Sequence, residues 1–264
     1  MYRPKRRQLV AGLALSTAAA ALGPVQALAR GGKDPIPEKN SRCVGLIGGL
    51  GPPSTIFYYE NLLRAFAEVG VTPRLLIDEA DLERGLAFVQ ADDRAGLARY
   101  LATLIDQLAA GGAQLVAMAA VTPHLCMPQL APLSHLPIVD IITAIDVELR
   151  RRRAHRVALL GNRYTMAQRL YGRLTGFELI DLGPDVVSKV HRIYLSVVAN
   201  GGASPDDLSY LRALCARLVR QEGVDTIIVG GTELSIVLKE GTEPFPLLDC
   251  SLAHIRAIVA RAMA

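Results

Sequence analysis

Two apolar runs constrain the fold of this chain more than any other feature. Leu115-Val116-Ala117-Met118-Ala119-Ala120-Val121-Thr122-Pro123-His124 and Thr226-Ile227-Ile228-Val229-Gly230-Gly231-Thr232-Glu233-Leu234 each break into small residues and then a threonine. An apolar run without alternation predicts a strand covered on both faces, as in a parallel sheet under helices. The pattern extends along the chain. Strands are predicted over 43–48, 74–78, 114–119, 137–141, 156–160, 177–181, 225–230 and 246–249, and helices over 54–69, 92–111, 143–153, 165–174, 185–199, 205–222 and 250–263. Ser54 and Ser204-Pro205 supply helix starts, and Asn200-Gly201-Gly202 a stop. Strands alternating with helices give an α/β chain, and two units of comparable length suggest an internal pseudo-repeat. Ligands of such sheets gather at the strand ends, where Thr122 and Thr232 stand.

The two strand-end segments resemble the half-sites of the aspartate/glutamate racemase family, which read P-C-N-T-A-H and G-C-T-E-L. Three further stretches agree in the same order. Cys43-Val44-Gly45-Leu46-Ile47-Gly48-Gly49-Leu50-Gly51-Pro52 with Thr55 is similar to the family's opening strand and glycine turn. Val157-Ala158-Leu159-Leu160-Gly161-Asn162 with Thr165-Met166 and Tyr171 resembles the segment that opens its second half. Pro246-Leu247-Leu248-Asp249 with His254 resembles the closing motif. The departures are Asn162 for a threonine, Val121 for an asparagine and Pro123 for a small residue.

The resemblance implies two pseudo-symmetric three-layer αβα domains with parallel sheets facing each other across a cleft. The first would hold 43–142 plus 247–264 and the second 143–246. It also implies a small carboxylate or amino acid as ligand, no cofactor, no metal, no nucleic acid, and a homodimer as the oligomer found in the family. Substrate contacts would fall to Gly49, Gly51, Thr122, Asn162, Thr165, Thr232 and Glu233. For the threonines helix capping, and for the glycines a plain tight turn, are alternatives that the residues leave open.

The family's two cysteines fall on Ala120 and Gly231. Cofactor-independent racemisation removes the α-proton on one face and returns one on the other, so two opposed acid/base groups are needed. A thiol, with a reference pKa of about 8.5, can be tuned to that task; alanine and glycine side chains carry no exchangeable proton. His124 and Glu233 are the remaining candidates for acid/base work, each with packing of a loop as its alternative. Three functions follow: turnover of a small chiral carboxylate by residues other than cysteine, binding without turnover, or a structural role. The acids of Leu75-Leu76-Ile77-Asp78-Glu79-Ala80-Asp81, with Arg84 beyond them, would disfavour a dicarboxylate if they lined the cleft.

Residues 1–29 have the three parts of an export signal. Arg3, Lys5, Arg6 and Arg7 precede an apolar stretch from Leu9 to Leu22, and Ala27-Leu28-Ala29 closes the segment with a cleavage site after Ala29. The apolar stretch is shorter than the roughly 20 residues that span a bilayer. Arg6-Arg7 admits a twin-arginine route to the bacterial periplasm beside the general secretory one. These four basic residues account for the whole formal charge of +4, so the charge argues against nucleic-acid binding. Residues 30–42 read as a flexible lead. The run Arg150-Arg151-Arg152-Arg153 with Arg156 lies at a helix end, where it opposes the dipole. Cys43, Cys126, Cys215 and Cys250 are scattered, and buried thiols are the plain expectation. Disulfide pairing stays open, and so does a relocated nucleophile at Cys126 or Cys250.

Overall fold

The computed structural model describes residues 41–264, so the expectations for the export segment and most of the lead lie outside the described residues. Two parallel sheets carry the fold. The first has the order β2-β1-β3, built from β1 (Val44–Gly48), β2 (Leu75–Glu79) and β3 (Leu115–Met118). The second has the order β5-β4-β6-β7, built from β4 (Arg156–Leu160), β5 (Glu178–Leu179), β6 (Thr226–Val229) and β7 (Leu247–Asp249). Strands β1, β3 and β6 are buried along their whole length, as unalternating apolar runs require.

Ten α-helices are found among the described residues. They are α1 (Pro52–Glu68), α2 (Leu82–Gln90), α3 (Arg94–Ala110), α4 (Met127–Leu130), α5 (Ile141–Arg152), α6 (Arg163–Ala167), α7 (Pro184–Asn200), α8 (Pro205–Glu222), α9 (Leu234–Val237) and α10 (Cys250–Met263). The halves exchange their last helices. Pro137-Ile138-Val139-Asp140 runs beside β3 as Pro246-Leu247-Leu248-Asp249 runs beside β6, and each aspartate caps the helix that follows. Helix α5 then buries Ile141, Ile145 and Leu149 in the core of the second sheet, with Val157 and Ile228. Helix α10 buries Ile255, Ile258 and Val259 in the core of the first sheet, with Leu46 and Leu115 and with Tyr58, Leu62 and Phe66 of α1. Burying such side chains contributes roughly 1.5–3 kcal/mol each, so the exchange ties the halves together.

Three expectations are corrected. The stretch 137–141 makes one bridge, Val116 to Ile138, because Asp140 already caps α5. The helix expected over 165–174 stops at Ala167, since Arg169, Leu170 and Tyr171 adopt left-handed backbone at φ 50°, 50° and 61°. The strand expected over 177–181 shrinks to two residues. Strand β7 pairs with β6, so the second sheet runs through Asp249.

Arg150, Arg151 and Arg152 of the arginine run are ion-paired. Arg150 bonds Asp146, while Arg151 and Arg152 share Glu148, and Arg152 also reaches Glu240 and the Leu247 carbonyl. It anchors the end of α5 to the segment leading into β7.

The turn after β1 has a strict requirement. Gly49 sits at φ +76°, and a Cβ there would lie 2.2 Å from the Ala80 carbonyl oxygen. Both the backbone angle and the overlap oppose any side chain. Gly49→Ala is expected to lose about 3 kcal/mol or more of stability in urea titration. A loss below about 1 kcal/mol would mean that the turn relaxes freely.

Candidate functional site

The sheet registers bring four strand-end turns together. The Ala119 N–H donates to the Ile47 carbonyl at 2.9 Å, so the turns after β1 and β3 emerge side by side. The Gly230 N–H donates to the Leu160 carbonyl at 2.7 Å, doing the same for the turns after β4 and β6. A cavity of about 160 Å³ lies against these ends, lined by Leu50, Gly51, Thr122, Pro123, Asn162 and Glu233. Its walls are Leu82, Gly85, Leu86 and Val89 of α2 and His191, Tyr194, Leu195 and Val198 of α7, with Leu97 and Tyr164.

At the cavity, polar contacts bridge the halves in two places. The Asn162 amide donates to the Thr122 hydroxyl at 3.0 Å, while its own oxygen caps α6 by accepting from the Thr165 N–H at 2.9 Å. Across the site, the hydroxyls of Ser54 and Thr232 lie 2.5 Å apart. Each also lies within hydrogen-bond reach of the Glu233 carboxylate, at 3.0 and 2.9 Å, so one hydroxyl donates to the carboxylate and the other has its choice of the two acceptors. Glu233 is 2% exposed, and a Cβ on Gly51 would lie 2.5 Å from its Oε1, so glycine at 51 makes room for that carboxylate.

Position 231 is closed by a residue from α7. An added Cβ there would lie 2.8 Å from Cε2 and 3.2 Å from Cδ2 of Tyr194. The tyrosine ring occupies the space that any side chain at 231 would take. Burial first, and then the Glu233 carboxylate, lifts the Tyr194 hydroxyl well above its ordinary value, while the Asn162 amide works the other way. The phenol therefore keeps its proton at neutral pH. His191 stacks on this ring at 6.5 Å and is pushed below its ordinary value by burial and by Arg163.

Sequence reasoning placed Gly51, Thr122, Asn162 and Glu233 at the strand ends, and these four line the cavity. Gly49, Thr165 and Thr232 lie beneath it, holding the turns. His124 is fully buried behind the site, edge-on to His254 at 5.8 Å and with Nδ1 3.8 Å from the Asp140 carboxylate. Burial would raise the Asp140 carboxyl, but His124, the Thr143 N–H and Arg173 hold it far below the usual carboxylate range. Asp78 and Glu79 of β2, and Asp81 after it, do not line the cavity; Asp81 caps α2, and Arg84 stacks over Tyr100 at 4.5 Å.

All four cysteines are free and buried. Burial pushes the Cys126 and Cys215 thiols up to about 12 and Cys250 well above its ordinary value. Those thiols stay protonated and lie off the cavity. Tyr194, His191 and the α2 wall escaped sequence reasoning. The spacing of His191, Tyr194 and Leu195 on one face of α7 was the available signal.

Residues 47–258 match the family model described as Asp/Glu/Hydantoin racemase. The chain belongs to the Asp/Glu/Hydantoin racemase family. Similar solved structures of this family include a protein from Yersinia pestis assigned as an Asp/Glu racemase. It shares 26% identity at TM-score 0.76, over 84% of this chain and 100% of that one. An aspartate racemase homologue from Pyrococcus horikoshii shares 26% identity at TM-score 0.74, over 84% and 100%. A Francisella tularensis glutamate racemase solved with D-glutamate shares the fold, at 14% identity and TM-score 0.58 over 83% and 80%. In this racemase-family chain the ends of β3 and β6 carry Ala120 and Gly231.

Proposed function

We propose that this chain is an exported racemase-family protein that holds a small carboxylate or amino acid in its cleft and does not racemise it by the two-thiol route. The carrying observation is Ala120 and Gly231 at the paired strand ends, the latter packed under Tyr194, so that neither side of the cleft offers an exchangeable proton at those positions. The binding elements remain. Thr122 and Asn162 bring a hydroxyl and an amide from opposite halves to the cavity, and Glu233 brings a carboxylate. The relatives are named for aspartate and glutamate, which supports a small carboxylate as the ligand class. The tripartite segment over residues 1–29 supports export by the twin-arginine or the general secretory route.

The test is α-proton exchange in D₂O with aspartate, glutamate and a panel of other amino acids, followed by proton NMR. No deuterium uptake above a protein-free control is expected, together with ligand-detected binding of at least one panel member. Uptake would show a working base and overturn the non-racemising part; absence of binding across the panel would overturn the cleft.

A further inference from the structure

Resting on the carboxylate-cleft reading above, we infer that the ligand is an α-amino acid with an apolar, ring-sized side chain rather than an acidic one. Three observations converge on it. The first is charge. Glu233 is a buried carboxylate lining the cavity, supported by two hydroxyls, yet among the described residues no lysine, arginine or histidine nitrogen lies within 4.0 Å of it. Buried charges are ordinarily paired, and an ammonium group arriving with the ligand supplies the missing partner.

The second observation is the lack of any support for a second carboxylate. Lysine and arginine are absent from the cavity lining, and His191 is shifted toward its neutral form. A dicarboxylate would carry its distal charge into a wall made by Leu82, Leu86 and Val89 of α2 and Leu195 and Val198 of α7. Desolvating that charge without a partner is costly.

The third is size. The cavity holds about 160 Å³, and an apolar cavity of about 150 Å³ is known to take benzene. A phenyl ring fits. The ammonium then meets Glu233, the carboxylate meets the Thr122 hydroxyl and the Asn162 amide, and the ring lies between α2 and α7. Tyr194 bounds the inner end with an aromatic face and Glu233 at its hydroxyl.

The experiment is calorimetric titration of the full-length chain with phenylalanine (both enantiomers), 3-phenylpropionate, aspartate and glutamate. Phenylalanine is expected to bind at least tenfold more tightly than 3-phenylpropionate, which lacks the amine, and than either acidic amino acid. Glu233→Gln, close in shape, is expected to remove most of the phenylalanine advantage, weakening phenylalanine and leaving 3-phenylpropionate bound no more weakly than before. Leu86→Arg, at a position 41% exposed and so harmless to folding, is expected to weaken phenylalanine and strengthen aspartate. Tighter binding of aspartate or glutamate by the unaltered protein would overturn the inference while leaving the carboxylate cleft standing. Equal binding of phenylalanine and 3-phenylpropionate would overturn the role of Glu233. Binding of none of them would overturn both the inference and the cleft.

Discussion

The double variant Ala120→Cys with Gly231→Cys is expected to gain no racemisation until Tyr194 is also cut back to alanine. A side chain at 231 would begin 2.8 Å from the Tyr194 ring, well inside van der Waals contact. Overpacking of that kind costs about 1–3 kcal/mol, or it drives the ring off its seat and into the cavity. In the first case the double variant is destabilised. In the second, the displaced ring takes the place of a ligand and abandons Glu233 and Asn162. Neither leaves two opposed thiols facing an open cleft.

Tyr194→Ala removes the obstruction and opens the floor of the cavity. If the remaining frame still holds a carboxylate, the triple variant should racemise on the order of a hundredfold faster than the double variant, the lower range for a positioned proton-transfer group. Racemisation is to be followed by circular dichroism of single enantiomers, with urea titrations of all three proteins beside it. An active double variant with wild-type stability would mean that Tyr194 yields at no cost, and the proposed incompatibility would fall. Tyr194 also explains why a lost thiol is not a local change: Gly231 and Tyr194 fit each other, so reversing one alone damages the other.

The sequence made the sheets legible because their strands are buried on both faces, and such runs announce themselves without alternation. The strand-end turns were legible for the same reason, since small residues and a threonine interrupt those runs abruptly. Local signals gave less elsewhere. Helix α2 is short, and Glu83, Arg84 and Gly85 break its apolar pattern, yet it forms a whole cavity wall. Tyr194 lies far from Gly231 in the chain, and a tyrosine on an amphipathic helix reads as ordinary packing; only the approach of α7 to β6 joins them. His124 sits in the expected turn, but that turn carries its ring to Asp140 and His254 instead of the cavity. The left-handed residues 169–171 carry no glycine or asparagine, so nothing local marked the break.

Acid should expose two buried groups beneath the site that move stability in opposite directions. His254 accepts from the Tyr58 hydroxyl at Nδ1 and donates from Nε2 to the Val139 carbonyl, which fixes a neutral ring joining α1, α10 and the start of α5. Burial, then His124, pushes it down to about 3. Its unfolded counterpart protonates near pH 6.5, so stability is lost as pH falls from about 6.5 towards 3, at about 1.4 kcal/mol per pH unit. Asp249, 1% exposed, is pushed up to about 6 by burial despite the hydroxyl of Ser235 and the N–H groups of Ser251 and Leu252. Its protonated form is favoured by folding, so its contribution is complete below about pH 4 and is lost as pH rises through 6. Between about pH 6 and 4 the two nearly offset. Asp249→Asn keeps a helix cap and removes the titration. From pH 7 to 4 the stability of the wild type relative to that variant is expected to rise by about 3 kcal/mol in urea titrations. Parallel pH profiles would mean that Asp249 bears no cost for its charge, and the acid sensitivity would then belong to His254 without an opposing partner.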